Sequence, residues 1–142
     1  MRADTSWEVV VAEDDADDYQ LLRFAWERAR VPQSLVRLED GVSLLEYLRR
    51  PGARTALILL DVKMPRRSGH EVLKTLKADR DLRTIPVVML STSNRQADIR
   101  GAYELGAASY FVKPDALEGM ISVVSLLRRY WLEAAELPDL SE

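Results

Sequence analysis

The sequence predicts a doubly wound α/β fold of five parallel β-strands, each followed by a helix, (βα)5, and three observations predict it. Apolar runs of strand length alternate with longer segments of helical period, the pattern of parallel strands joined by right-handed crossovers. Three of the runs are almost wholly apolar, as strands covered on both faces are. Carboxylates, a hydroxyl and an amine follow the carboxyl ends of the runs, where open α/β sheets bind ligands and do chemistry.

The first strand is expected near 7–12, from Glu8-Val9-Val10-Val11-Ala12, and the first helix near 15–30. Asp15, Asp17 and Asp18 open that helix; they read either as ligands or, as acids at a helix start more often are, as caps and dipole partners, Asp15 with Asp18 approximating a capping box. Leu35-Val36-Arg37-Leu38-Glu39 alternates, which suits an edge strand near 35–39. A helix near 41–50 stops at Pro51-Gly52, and the apolar run Ala56-Leu57-Ile58-Leu59-Leu60 makes a buried strand near 56–61 that ends on Asp61. A helix near 68–79, a strand near 85–90 (Pro86-Val87-Val88-Met89-Leu90) and a helix near 94–105 closed by Gly106 follow. The last pair is a strand near 108–112 and a helix near 115–136, with Met120, Val123, Val124, Leu127 and Trp131 as its inward stripe.

Composition narrows the class of function. The chain has 142 residues, 47% hydrophobic and 30% charged, which is one domain with an ordinary core. A net charge of −3 gives no general attraction to nucleic acid or anionic membrane, and Arg49-Arg50, Arg66-Arg67 and Arg128-Arg129 are short pairs that suit solvated helix ends or loops. Without cysteine there is no disulfide framework and no thiol chemistry. Met1 to Ser6 carries no apolar signal core, and no stretch approaches the ~18 apolar residues of a membrane span. A cytoplasmic protein is expected, a single domain over 1–142 with a core from about 7 to 132 and no room for an output domain.

At the expected rim stand Glu13-Asp14, Asp61, Ser91 and Lys113. Clustered carboxylates repel one another and raise each other's pKa unless a cation neutralises them, which suggests a hard divalent ion, Mg2+ by preference. Asp61 is then a plain ligand or a nucleophile. A hydroxyl and an ammonium beside it favour the nucleophile, since phosphoryl transfer asks a protein for positioning and charge stabilisation.

These residues resemble the response-regulator receiver domain. The acid pair Glu13-Asp14, the run Asp61-Val62-Lys63-Met64-Pro65-Arg66-Arg67-Ser68-Gly69, Ser91 and Lys113-Pro114 occur in family order and at family intervals, over roughly residues 7–132. Glu13-Asp14-Asp15, Leu90-Ser91-Thr92-Ser93-Asn94 and Tyr130-Trp131-Leu132 look most like stand-alone receivers that serve bacteriophytochrome and related sensor histidine kinases. The resemblance implies the flavodoxin-like strand order 2-1-3-4-5 and a two-component role without enzymatic turnover. It implies Asp61 as acceptor of a phosphoryl group from a kinase phosphohistidine, with Asp14, Asp61 and the Lys63 carbonyl on Mg2+ and Glu13 acting through water. Ser91 then bonds a phosphoryl oxygen, and Lys113 pairs with that group or, before phosphorylation, with Asp61. Ser91, Thr92 and Tyr110 form the switch, and the Lys113-Pro114 bond matches one commonly cis in the family.

Rival readings are narrower. An aspartyl-phosphate hydrolase of the haloacid dehalogenase type needs a second Asp two residues after the nucleophile, where this chain has Lys63. A pseudo-receiver acting only as a scaffold does not need the intact acid, hydroxyl and lysine set. His70 follows Gly69 at a helix start and is expected at the surface. Lys63 and Ser93 depart from commoner residues at places that, in the family, border the water hydrolysing the acyl phosphate, and Ser91 replaces the commoner Thr. The signal is expected to leave through the α4-β5-α5 face, including Ile99 to Tyr103 and Tyr110, with Trp131 and Leu132 as contacts of a homodimer joined by the last helix.

Overall fold

The structure is a computed structural model that describes residues 1–138. Five strands, β1 (Glu8–Ala12), β2 (Ser34–Leu38), β3 (Thr55–Leu60), β4 (Val87–Ser91) and β5 (Ser109–Val112), form one sheet in the order β2-β1-β3-β4-β5. Every neighbouring pair is parallel. The helices α1 (Ala16–Arg28), α2 (Gly41–Leu48), α3 (Gly69–Ala78), α4 (Gln96–Glu104) and α5 (Leu117–Leu127) fill the crossovers. The expected (βα)5 plan and strand order are therefore present; the helices lie within the expected bounds, while β2, β3 and β4 are offset from theirs by one or two residues.

Strand alternation explains why helices cover both faces. Val9 and Val11 of β1 and Leu57 and Leu59 of β3 point into a core closed by Leu22, Ala25 and Trp26 of α1 and by Met120, Val124 and Leu127 of α5. Val10, Ala12, Ile58 and Leu60, one residue out of phase, enter a second core closed by Leu44 of α2, Val72, Leu73 and Leu76 of α3, and Ala102 of α4. A continuous apolar run is thus what a central strand here requires. β2 and β5 are half-buried edges.

Caps place the helices that flank the rim. Asp15 accepts from the backbone N–H of Asp17 and Asp18, and Asp40 from that of Ser43. Ser68 and Glu71 complete a capping box at α3, which satisfies two otherwise orphaned amides. Gly106, at φ +105°, ends α4 in a conformation that a side chain would strain.

The carboxyl end of the chain departs from expectation. The helix expected to run to 136 ends at Leu127 and continues as a π-helical segment, Arg128–Ala134, with Ala135 N donating to Tyr130 O. The extra residue per turn rotates the apolar stripe. Leu132 is only 2% exposed and packs in the core that holds Trp7, Trp26 and Leu137. It is therefore core rather than a dimer contact. Trp131 packs half-buried on that core, and Tyr130, 62% exposed, is the aromatic left at the surface.

One further expectation is corrected, and one open question is answered. His70 is half-buried between α3 and α4, its Nε2 2.9 Å from the Asp98 carbonyl oxygen and its ring against Gly101. No peptide bond among the described residues is cis, so Lys113–Pro114 is trans.

Candidate functional site

The carboxyl ends of β1, β3, β4 and β5 open onto one rim because all five strands are parallel. Asp61 follows β3 directly and is 7% exposed. The next turn is held tight by Gly69, whose N–H donates to Val62 O at 2.7 Å and where a Cβ would stand 2.0 Å from the Asp61 carbonyl oxygen. Only glycine fits there. One Asp61 carboxylate oxygen accepts from Lys113 Nζ at 2.7 Å and the other, weakly, from Lys63 N–H at 3.4 Å.

Lys113 comes from the residue after β5, its N–H donating to Ser91 O at 2.7 Å. Its buried ammonium also donates to Glu13 and, at 2.9 Å, to Asp18. Burial alone would depress this amine, yet the hydrogen bonds to Asp61, Glu13 and Asp18 outweigh it and hold the lysine above its ordinary range. Glu13 shows the converse. Its burial pushes the carboxyl up, opposed by Lys113 and reinforced by the neighbouring Asp61 charge. One cation thus serves three acids, two of them buried.

Of the expected ligand set, the structure brings Glu13 and Asp61 together on Lys113 and leaves Asp14 and the Lys63 side chain exposed. Among the described residues, no three acidic or histidine side chains stand in a ready metal cage. The donor chemistry nonetheless fits a hard divalent cation: the acids supply only oxygen, and their charge exceeds that of one ammonium. Asp18, expected as a cap, is instead a partner of Lys113. No local signal marks this pairing, because Lys113 lies 95 residues further along the chain.

Ser91 is 1% exposed at the end of β4, and its Oγ accepts from Ser93 N–H at 3.3 Å. Tyr110 reaches the same loop from β5, donating its hydroxyl to Ser93 O at 2.8 Å, while Thr92 is exposed. Ser93 Oγ donates to Asp98 in the first turn of α4 at 2.5 Å. A hydroxyl, a loop, an aromatic ring and a helix are therefore mechanically joined.

The response regulator receiver domain model matches residues 9–125 of the chain. The chain belongs to the response regulator receiver family. It is 33% identical over 135 residues to Response regulator Rcp1 of Synechocystis sp., covering 92% of each chain; the Mn2+-bound structure of Rcp1 superposes with a TM-score of 0.83 at 32% identity, covering 94% of this chain and 99% of that one. The phosphorylated cyanobacterial phytochrome response regulator RcpA gives a TM-score of 0.86 at 35% identity over 94% and 99% of the two chains. The bacteriophytochrome response regulator AtBRR gives 0.74 at 33% over 94% and 98%.

Membership makes this receiver a two-component signalling protein, in a family of signalling rather than catalytic domains. The phytochrome response regulators among its relatives agree with the narrower likeness seen in its motifs. No helix among the described residues is long and apolar enough to cross a membrane.

Proposed function

We propose that this receiver takes a phosphoryl group onto Asp61 from the phosphohistidine of a sensor histidine kinase of the phytochrome class, and signals through its α4-β5-α5 face. The observation that carries the reading is the Asp61–Lys113 pair at 2.7 Å on a buried rim, closed from behind by Gly69. An Asp61 oxygen attacks phosphorus, the P–N bond breaks, and its electron pair leaves with the imidazole nitrogen. The product is an acyl phosphate.

Lys113 stays protonated throughout, because three acids hold it so, and its ammonium turns from the carboxylate to a phosphoryl oxygen. Ser91 donates its hydroxyl to another. Asp14, Asp61 and the Lys63 carbonyl, with Glu13 acting through water, would hold Mg2+, which screens charge on the phosphoryl oxygens when bound. The Mn2+-bound form of the relative Rcp1 supports a divalent cation here. Movement of the Ser91 loop alters the hydrogen bond from Tyr110 and so the face built from α4 and β5.

We assign the output to homodimerisation on that face, in the cytoplasm. Tyr103, Val112, Leu126 and Tyr130 are its exposed large apolar side chains, beside a groove of about 300 Å3 lined by Phe111, Leu127 and Trp131. Tyr130 takes the contact role expected of Trp131 and Leu132, the first half-buried on the core and the second inside it. The acceptor is tested by Asp61→Asn: labelling with acetyl phosphate disappears while the circular dichroism spectrum is kept. Undiminished labelling of the variant moves the acceptor elsewhere, and turnover of small phosphate esters by the wild type identifies a hydrolase instead.

A further inference from the structure

The acid pair sits in a loop whose own contacts hold only part of it: the Asp15 N–H donates to Glu13 Oε2 at 3.2 Å, and Asp14 is exposed. Glu13, Asp14, Asp15, Asp17 and Asp18 are crowded into six residues, and like charges at such spacing repel. Glu13 and Asp14 nevertheless have to present their carboxylates at one fixed point of the rim. The backbone that carries them is gripped from outside by an edge-strand residue.

Arg37 of β2 reaches across to this loop. Its Nε donates to the Glu13 carbonyl at 3.0 Å and its Nη2 to the Asp14 carbonyl at 3.1 Å. Beside them the Glu13 N–H donates to Leu38 O at 2.9 Å. The guanidinium lies 5.1 Å from the Tyr19 ring centroid on α1, and its remaining nitrogen is 3.5 Å from Glu39. The side chain is 20% exposed, so its donors face protein more than water. A guanidinium holds its donors in one rigid plane and so fixes two successive carbonyls relative to each other, whereas an ammonium is a point charge on a flexible stem without that geometry.

We infer that Arg37 is a positioning residue for the acid pair: by tying the Glu13 and Asp14 carbonyls to β2, it sets where their carboxylates point. The inference rests on the divalent-cation reading above. Arg37 acts through the loop backbone and not by touching the ion. Its two effects on a cation have opposite sign, since its charge repels the ion while its fork preorganises the ligands.

Two substitutions separate these effects. Arg37→Lys keeps the charge and loses the fork, whereas Arg37→Met loses both and keeps an unbranched stem over Tyr19. Mn2+ binding to the unphosphorylated protein is measured by electron paramagnetic resonance, with circular dichroism and thermal melts on each variant. Both variants bind Mn2+ about tenfold more weakly than wild type, the size of effect seen when groups that orient metal ligands are lost. Acetyl phosphate labelling of Asp61 returns toward the wild-type rate in both variants once Mn2+ is saturating, which splits affinity from chemistry.

Three results overturn the inference. Wild-type affinity in Arg37→Lys with tighter binding in Arg37→Met assigns the residue a purely electrostatic role. Unchanged Mn2+ affinity in both variants with a lowered melting temperature makes it a brace of the fold alone. A wild type that binds no Mn2+ removes the cation reading itself, an outcome visible before any variant is compared.

Discussion

Replacing Lys113 with Met strands two buried carboxylates. In the wild type the ammonium donates to Glu13, Asp18 and Asp61, with Glu13 4% and Asp61 7% exposed. Removing one partner of a buried ion pair costs about 3–5 kcal/mol, because the remaining charge keeps its desolvation penalty. For a chain of this length, 1 kcal/mol moves the melting temperature by about 3 °C, so Lys113→Met melts ~10 °C below wild type at pH 7. Two rescues follow from the cause. Glu13 already has its carboxyl pushed up by burial, and the variant removes the lysine that opposes this shift. For an acid raised above its unfolded value, the folded state binds the extra proton, so the variant regains stability as pH falls through the raised value, and the gap to wild type narrows. Mg2+ or Mn2+ replaces the missing charge, and a ligand at a hundred times its Kd adds about 2.7 kcal/mol. Differential scanning calorimetry of both proteins from pH 5 to 8, with and without metal, measures all three. A variant as stable as wild type, or one indifferent to both acid and metal, refutes the idea that Lys113 is the counter-ion of the rim.

The carboxyl-terminal segment supplies a second contrast: Leu132→Ala lowers stability by about 2–5 kcal/mol without altering mass in solution, since Leu132 is core. Tyr130→Ala leaves the melting temperature nearly unchanged and shifts the proposed dimer toward monomer by light scattering with beryllofluoride; the reverse pattern restores Leu132 as the contact. At the start of α2, the Ser43 backbone N–H, helped by Arg66 and opposed by burial, holds the Asp40 carboxyl below the usual range. That contribution is present above about pH 4 and is lost as pH falls through the lowered value, so Asp40→Asn, which can still cap, flattens the acid limb of a melting-temperature profile between pH 2 and 6. An unaltered limb removes Asp40 from acid unfolding.

Local pattern carried most of the fold and the outline of the site. The apolar runs at 56–60 and 86–90 are long enough to be covered on both faces, and parallel strands then leave Asp61, Ser91 and Lys113 on one rim. These inferences need only the period of a strand and the handedness of a crossover. Three features depended on contacts between residues far apart in sequence. Asp18 reads as a cap because acids open helices, yet it meets Lys113 95 residues later. Arg37 reads as the outward residue of an edge strand, and its fork finds carbonyls more than twenty residues upstream. Trp131 continues the 3.6-residue stripe of Met120, Val124 and Leu127, but the π-helical turn shifts that phase by a residue and delivers Leu132 to the core with Trp7. Periodicity tells which side of an element is apolar. Which surface that side finally meets, and which charge a carboxylate finally pairs with, is settled by long-range packing, because burial free energy and ion pairing are properties of the assembled neighbours.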